Sequence, residues 1–186
     1  ALKKINTLSF FKDNIMPAIF LPDLMALKSW EYDSNKLNYN DDVYNESNNT
    51  WIKKNKKIPS AQESFRVFQN HVNISEDKKT SFITLSVKHQ SPFIAKQWSE
   101  ILISEINFFY RQQDKLESQK AVSYLNTQIV MTKLSEIKQA IALLIQQETQ
   151  KLTLIEANES YVFEYIDPPA IMEKKVEPKR ALICII

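Results

Sequence analysis

The sequence predicts an α+β protein, in which a small α/β base has strands on either side of a long helical hairpin that protrudes from it. Three observations predict this. From Pro92 to Asn158 there is no proline after the first residue and no glycine, only a run rich in Leu, Ile, Glu, Gln, Lys and Ala that nothing interrupts as helix. Before it, Phe82-Ile83-Thr84-Leu85-Ser86-Val87-Lys88 alternates and is rich in β-branched side chains, the signature of a strand. After it, Tyr161-Val162-Phe163-Glu164-Tyr165-Ile166 is aromatic and branched, and Asp167-Pro168 stops it as a second strand.

The elements follow in chain order. Leu2, Ile5, Leu8, Phe11 and Ile15 recur at roughly helical period, so residues 1 to 28 read as a helix followed by a loop that Pro17 and Pro22 interrupt. From Trp30 to Lys57 the chain is polar and turn-rich, a long surface segment pinned by Trp30, Tyr32, Tyr39, Tyr44 and Trp51. Pro59-Ser60-Ala61-Gln62-Glu63 opens a short helix with Phe65 and Phe68 on nearly one face. Val72-Asn73-Ile74 is a short partner for the Phe82 strand, with Ser75-Glu76-Asp77-Lys78-Lys79 in the connecting turn. Ser91-Pro92 starts the long helix with a capping side chain and a proline at its first position.

Within that helix Leu134, Ile137, Ile141 and Leu144 keep a three-four spacing that resumes at Leu152 and Ile155 after Glu148, and Val122, Leu125 and Ile129 keep it earlier. Leu125, Ile129, Leu134, Ile137, Ile141 and Leu144 are therefore the expected seam of a hairpin or of an oligomer. A straight helix over this segment would be about 100 Å long at 1.5 Å per residue, and strands that far apart cannot share a sheet. For the two strands to lie in one base the helix has to reverse, near Met131 to Ser135, with Thr132 and Ser135 as candidate caps. The alternative is a single rod whose second strand sits in a neighbouring subunit. The predicted organisation is a single domain over 1–180, made of a base over 1–91 and 159–167, a hairpin over 92–158 and a proline strap over 167–180, with 181–186 after it.

The strap carries Pro168, Pro169 and Pro178, each without an N–H and each restricting the residue before it, so it should be extended. Directly after Lys179-Arg180 comes Ala181-Leu182-Ile183-Cys184-Ile185-Ile186, too short for the ~20 residues a bilayer requires but with the look of a membrane helix that is cut off. A short C-terminal core strand is the plainer alternative.

Composition excludes several classes. The 186 residues contain no glycine, so phosphate-cradling loops of the Walker or dinucleotide type cannot be built; turns fall to Asn, Asp, Ser and Pro, and the 14 Asn suit that role because Asn tolerates left-handed backbone. Basic and acidic residues, 24 and 22, are interspersed, which argues against a nucleic-acid partner. Cys184 is the sole cysteine, so neither a disulfide framework nor a cysteine-rich zinc site is available.

No catalytic, cofactor or metal residues are assigned. His71 and His89, the only histidines, have no motif and read as surface or strand-end residues. Asp41-Asp42, Glu117 and Glu148 are explained as solvated carboxylates, and Arg111, Asp114, Lys115, Glu117 and Lys120 as a solvated helix face or subunit rim. The aromatic set of Trp30, Tyr39, Tyr44 and Trp51 can stack on sugar rings, or can pin a loop to the base.

Ser91-Pro92 with Ala95 and Trp98, Ile106-Asn107, Tyr124-Leu125-Asn126, Glu159-Ser160-Tyr161-Val162-Phe163, and Ile166-Asp167-Pro168-Pro169 with Glu173, Lys175, Pro178, Arg180 and the apolar start occur in the order strand, proline-started helix, strand, strap, membrane start. In that order the chain resembles the polysaccharide co-polymerases, the chain-length determinant proteins of the bacterial inner membrane. The resemblance covers roughly residues 60 to 186 well and the first 58 more loosely. It implies a periplasmic α/β base with a protruding helical hairpin, held between two membrane helices and assembled into homo-oligomeric rings. The implied function is non-enzymatic regulation of the length of a surface polysaccharide such as the O-antigen of lipopolysaccharide, together with a separate polymerase and lipid-linked glycan. Pro168, Pro169, Glu173, Pro178 and Arg180 would be its coupling strap. The chain departs from the pattern in lacking the first membrane helix and the strand after it. Lys174, Lys175, Lys179 and Arg180 would be cytoplasmic by the positive-inside rule, whereas the family places them outside. A membrane-anchored coiled-coil scaffold or periplasmic adaptor would use the same helices, and a carbohydrate-acting enzyme is the third reading.

Overall fold

The structure, a computed structural model, describes residues 2–52, 57–158 and 160–173. It is 54% helix and 14% strand, with two long helices forming a hairpin and with small antiparallel sheets. The helices are α1 (Leu2–Ile5), α2 (Leu8–Phe10), α3 (Leu21–Met25), α4 (Ala61–His71), α5 (Pro92–Met131) and α6 (Ser135–Ala157), with a π-helical turn at Phe11–Ile15. The strands pair as β1 (Leu27–Glu31) with β2 (Lys36–Tyr39), β3 (Tyr44–Asn45) with β4 (Thr50–Trp51), and β5 (Val72–Glu76) with β6 (Ile83–Val87). The chain divides into two compact units, Asn6–Ile101 with Asp167 onward, and Ala1–Ile5 with Leu102–Ile166.

In the first unit the amphipathic start of the chain is not one helix. α1 stops at Ile5, Thr7 caps α2 by accepting from the Phe10 N–H at 3.3 Å, and the π turn follows. This places Phe10, Phe11 and Ile15 side by side in the interior, each at most 1% exposed. The expected proline-interrupted loop holds a helix, α3, because a proline in a first helical turn lacks only an N–H that would have had no partner there. Ser60 and Glu63 form a reciprocal capping box that starts α4. From α4, Phe65 and Phe68 meet Phe11 at ring separations of 5.6 and 4.9 Å, and Phe68 meets Trp98 of α5 at 6.1 Å. Rings from three elements thus make the core.

The segment from Trp30 is more ordered than its composition predicts, since β1–β2 and β3–β4 fold it into two hairpins. Asn35 and Asn49 stand in the turns with φ of 49° and 50°, a conformation asparagine adopts more readily than other side chains with a Cβ. The β5–β6 hairpin has the expected partners, with Val72 opposite Val87 and Ile74 opposite Leu85.

In the second unit α5 reverses at Thr132-Lys133-Leu134 into α6, where the sequence places the turn. Thr132 closes the last turn of α5, its hydroxyl donating to the Gln128 carbonyl at 2.9 Å. The start of α6 differs: Leu134 occupies the N-cap position with no side-chain cap, and Ser135 is already the first helical residue. The second predicted strand is also absent, because Tyr161–Ile166 has no ladder among the described residues. Its backbone groups bond to a side chain of α5 instead.

Candidate functional site

That side chain is Asn107, which is 6% exposed. Its Oδ1 accepts from the N–H groups of Val162 and Phe163 at 2.9 and 2.8 Å, and its Nδ2 donates to the Phe163 carbonyl at 2.8 Å. One amide side chain thereby stands in for a neighbouring strand, which is why the chain stays extended here without a sheet. Seven residues along α5, Asp114 accepts from the Tyr161 hydroxyl at 2.7 Å, and this bond, with burial, pushes the Tyr161 phenol up to about 12. Lys115 pairs with Glu156 between α5 and α6. Asp114 and Lys115 thus hold the hairpin and the segment that leaves it, where sequence suggests only a solvated face.

The seam between the two helices is narrow. On α6, Ile141 and Ile155 are buried and Ile145, Glu148 and Leu152 lie half-buried between them, a four-three alternation. On α5 the seam includes Asn107, Ser118, Leu125 and Ile129, the last two half-buried. Ser118 has no exposure, and its hydroxyl has no hydrogen-bond partner among the described residues. Of the other expected seam residues, Leu134 is 60% exposed, Ile137 47% and Leu144 48%. Leu134 lies outside the helical turn that starts at Ser135, and Ile145 takes the inward position that the spacing assigns to Leu144. An open groove of about 740 Å3 runs beside the seam, lined by Val122, Asn126, Val130, Met131 and Leu152 among others.

The aromatic set lies in the first unit and divides in two. Tyr39, Tyr44 and Trp51 form one cluster with Phe20, with Tyr44 5.7 Å from Tyr39 and 5.2 Å from Trp51. Tyr44 is 2% exposed. Burial and the carboxylate of Asp23, which accepts from the Tyr39 hydroxyl at 2.6 Å, both push the Tyr39 phenol up. Burial likewise raises Asp23 above the usual carboxylate range, against the lowering effect of that same bond. Trp30 stands apart, its indole N–H donating to Asn35 at 2.8 Å and its ring beside Tyr32 and Phe93. These rings bind β1–β4 to α3 and to the start of α5, the pinning role; Tyr32, at 74% exposed, keeps a ring open to solvent.

In the strap, residues 167–173 have no regular structure, with Pro168 and Glu173 exposed and Pro169 half-buried. Pro178, Arg180 and the run 181–186 lie outside the described residues. Among the described residues no group of three or more His, Cys, Asp or Glu could hold a metal ion, and no helix is long and apolar enough to cross a membrane.

Sequence reasoning missed two features. The Asn107 clamp links positions 56 residues apart and leaves no local signal. The two histidines do have one: once Val72 is placed opposite Val87, His71 and His89 fall at the same end of the β5–β6 hairpin. They lie with ring centres 6.1 Å apart, both against Trp98. With this geometry in hand, a search of protein-family models finds no match for the chain, and a search of curated proteins finds none either.

Proposed function

We propose that the chain is the periplasmic part of a bacterial inner-membrane protein that regulates the chain length of a surface polysaccharide of the O-antigen type. It does so without catalysing a reaction, as a membrane-anchored homo-oligomer acting beside a separate polymerase and its lipid-linked glycan. The observation that carries this reading is the hairpin. Two long helices share a seam too thin to cover their apolar side chains, leaving Val130 81%, Met131 71% and Leu143 60% exposed, with Leu134, Ile137 and Leu144 beside them. Apolar surface in excess of what a hairpin can cover favours packing against further copies, and a shared membrane anchor gives every copy one orientation, which favours closed rings. The strap supports the anchor: Pro168 and Pro169 lie in the irregular stretch 167–173, and in the sequence Pro178, Arg180 and an apolar run come after it.

The same exposed surface supports a second reading, a membrane-anchored scaffold or periplasmic adaptor that needs no glycan. Deleting the gene in the native cell and resolving the surface glycan on a gel separates them. A changed modal length supports the regulator; an unchanged distribution, with no redundant homologue present, leaves the scaffold.

A further inference from the structure

Of the four rings that the sequence offers to sugar, three pack into one cluster and Trp30 stands apart in the company of Tyr32 and Phe93. The Tyr32 ring centre is 5.7 Å from that of Trp30 with the two planes at 80°, so the rings meet as two walls of a corner. Phe93, in the first turn of α5, lies 6.5 Å from Trp30 and is tilted by 58°. Tyr32 is 74% exposed and Phe93 44%, with Trp30 half-buried. Asn35, in the β1–β2 turn, fixes one wall. The indole N–H can only donate, so it is the oxygen of the Asn35 amide that faces it at 2.8 Å, and the NH2 of that amide is left over. Neither this NH2 nor the Tyr32 hydroxyl has a hydrogen-bond partner among the described residues.

We propose that Trp30, Tyr32, Phe93 and the Asn35 amide form a platform that binds one uncharged pyranose unit of a glycan chain. A pyranose presents a face of C–H bonds and a rim of hydroxyls; the platform offers ring surface to the first, and an amide donor and a phenol to the second. The platform deepens the glycan contact of the function proposed above, and rests on that reading only for which glycan it meets.

Area and charge decide against the other occupants. A fully covered aromatic side chain buries about 150–250 Å2, so at these exposures the three rings leave on the order of 300 Å2 open. A stable contact between proteins needs about 800 Å2 from each partner, so a second copy finds too little here, whereas one sugar ring is well covered. The charged residues nearest the rings along the hairpin are Lys28, Glu31, Asp33 and Lys36, all exposed and cancelling in sign. They give no net basic field for an anionic lipid surface or an acidic sugar.

The test titrates the whole chain with methyl glucoside, galactoside and mannoside, epimers that differ in where a C–H face is free of hydroxyls, while NMR follows the three indole N–H resonances. At least one sugar should shift the Trp30 resonance saturably, in the millimolar range expected of a single sugar on an open surface, and leave those of Trp51 and Trp98 in place. Tyr32→Ala should weaken that binding about tenfold, and Tyr32→Phe, which keeps the ring and loses the hydroxyl, only about two- to fivefold. An unmoved Trp98 resonance reports that each variant keeps its core. No saturable shift with any of the three sugars, an equal shift at all three indoles, or an affinity unchanged in Tyr32→Ala would overturn the platform. So would a Trp30 shift produced by protein concentration alone, or by anionic phospholipid vesicles in place of the sugars. Failure here, with a modal length that still changes on gene deletion, leaves the regulator standing; sugar binding with an unchanged length distribution does the reverse.

Discussion

The two units solve the same problem, covering apolar surface, with opposite means. The first gathers its apolar residues inward as rings: Phe10, Phe11, Phe68 and Trp98 are at most 3% exposed and are held by short, capped elements. The second has the longest helices and the thinner interior. Its seam includes an asparagine, a glutamate and a serine whose hydroxyl has no partner among the described residues, while leucines and a valine are exposed. Helix length there comes from local propensity and the absence of breakers, so the two helices do not need a deep core to form. A helix pair with an under-filled seam and a surplus outer face has its largest apolar resource directed away from itself.

That contrast can be broken or sharpened by substitution. Phe11→Ala removes a ring with no exposure from the aromatic core and should cost about 3–5 kcal/mol in chemical denaturation; a loss below about 1 kcal/mol would show that the core is not the source of stability in its unit. Asn107→Ala leaves two N–H groups without their acceptor, and should cost about 1–3 kcal/mol. The loss should appear as faster amide exchange at Val162 and Phe163, with helix content by circular dichroism unchanged. Ser118→Ala deletes a buried hydroxyl with no partner and replaces it with a better helix former, so stability should rise by about 0.5–1 kcal/mol. A clear loss would reveal a partner for that hydroxyl. Leu144→Gln, at an exposed position, should change unfolding by less than about 0.5 kcal/mol. If the outer face is where copies meet, as proposed, it should also weaken assembly measured by sedimentation.

How far the sequence could be read depended on how local each cause is. The long helices were legible because periodicity and the lack of Pro and Gly act over tens of residues, and the reversal at 131–135 falls where expected. The reasoning that placed it there assumed a second strand at Tyr161–Ile166, and no ladder forms at those residues. The β-branched and aromatic pattern does describe an extended chain, but pairing is decided by what lies alongside, and here that is the Asn107 amide. The hairpins of 27–51 were hidden for a different reason. The strands Tyr44–Asn45 and Thr50–Trp51 are two residues each, shorter than any alternation can register, and their turns depend on Asn residues that composition had marked only as turn formers. Among the seam residues Ile141 was legible, whereas Leu144 and Ile145 are neighbours of similar character and only the phase set by the first turn of α6 chooses between them.

The Asn107 clamp also determines how the chain leaving the hairpin answers a pull. A strand in a sheet can be peeled, one ladder bond after another, each yielding under a small force. Here three hydrogen bonds of 2.8–2.9 Å converge on one side chain rooted in a helix, and the Tyr161–Asp114 bond lies seven residues further along the same helix, about 10 Å away. Tension on Tyr161–Ile166 therefore loads those bonds together, and the attachment behaves as a rivet that holds up to one threshold and then lets go, leaving α5 and α6 intact behind it.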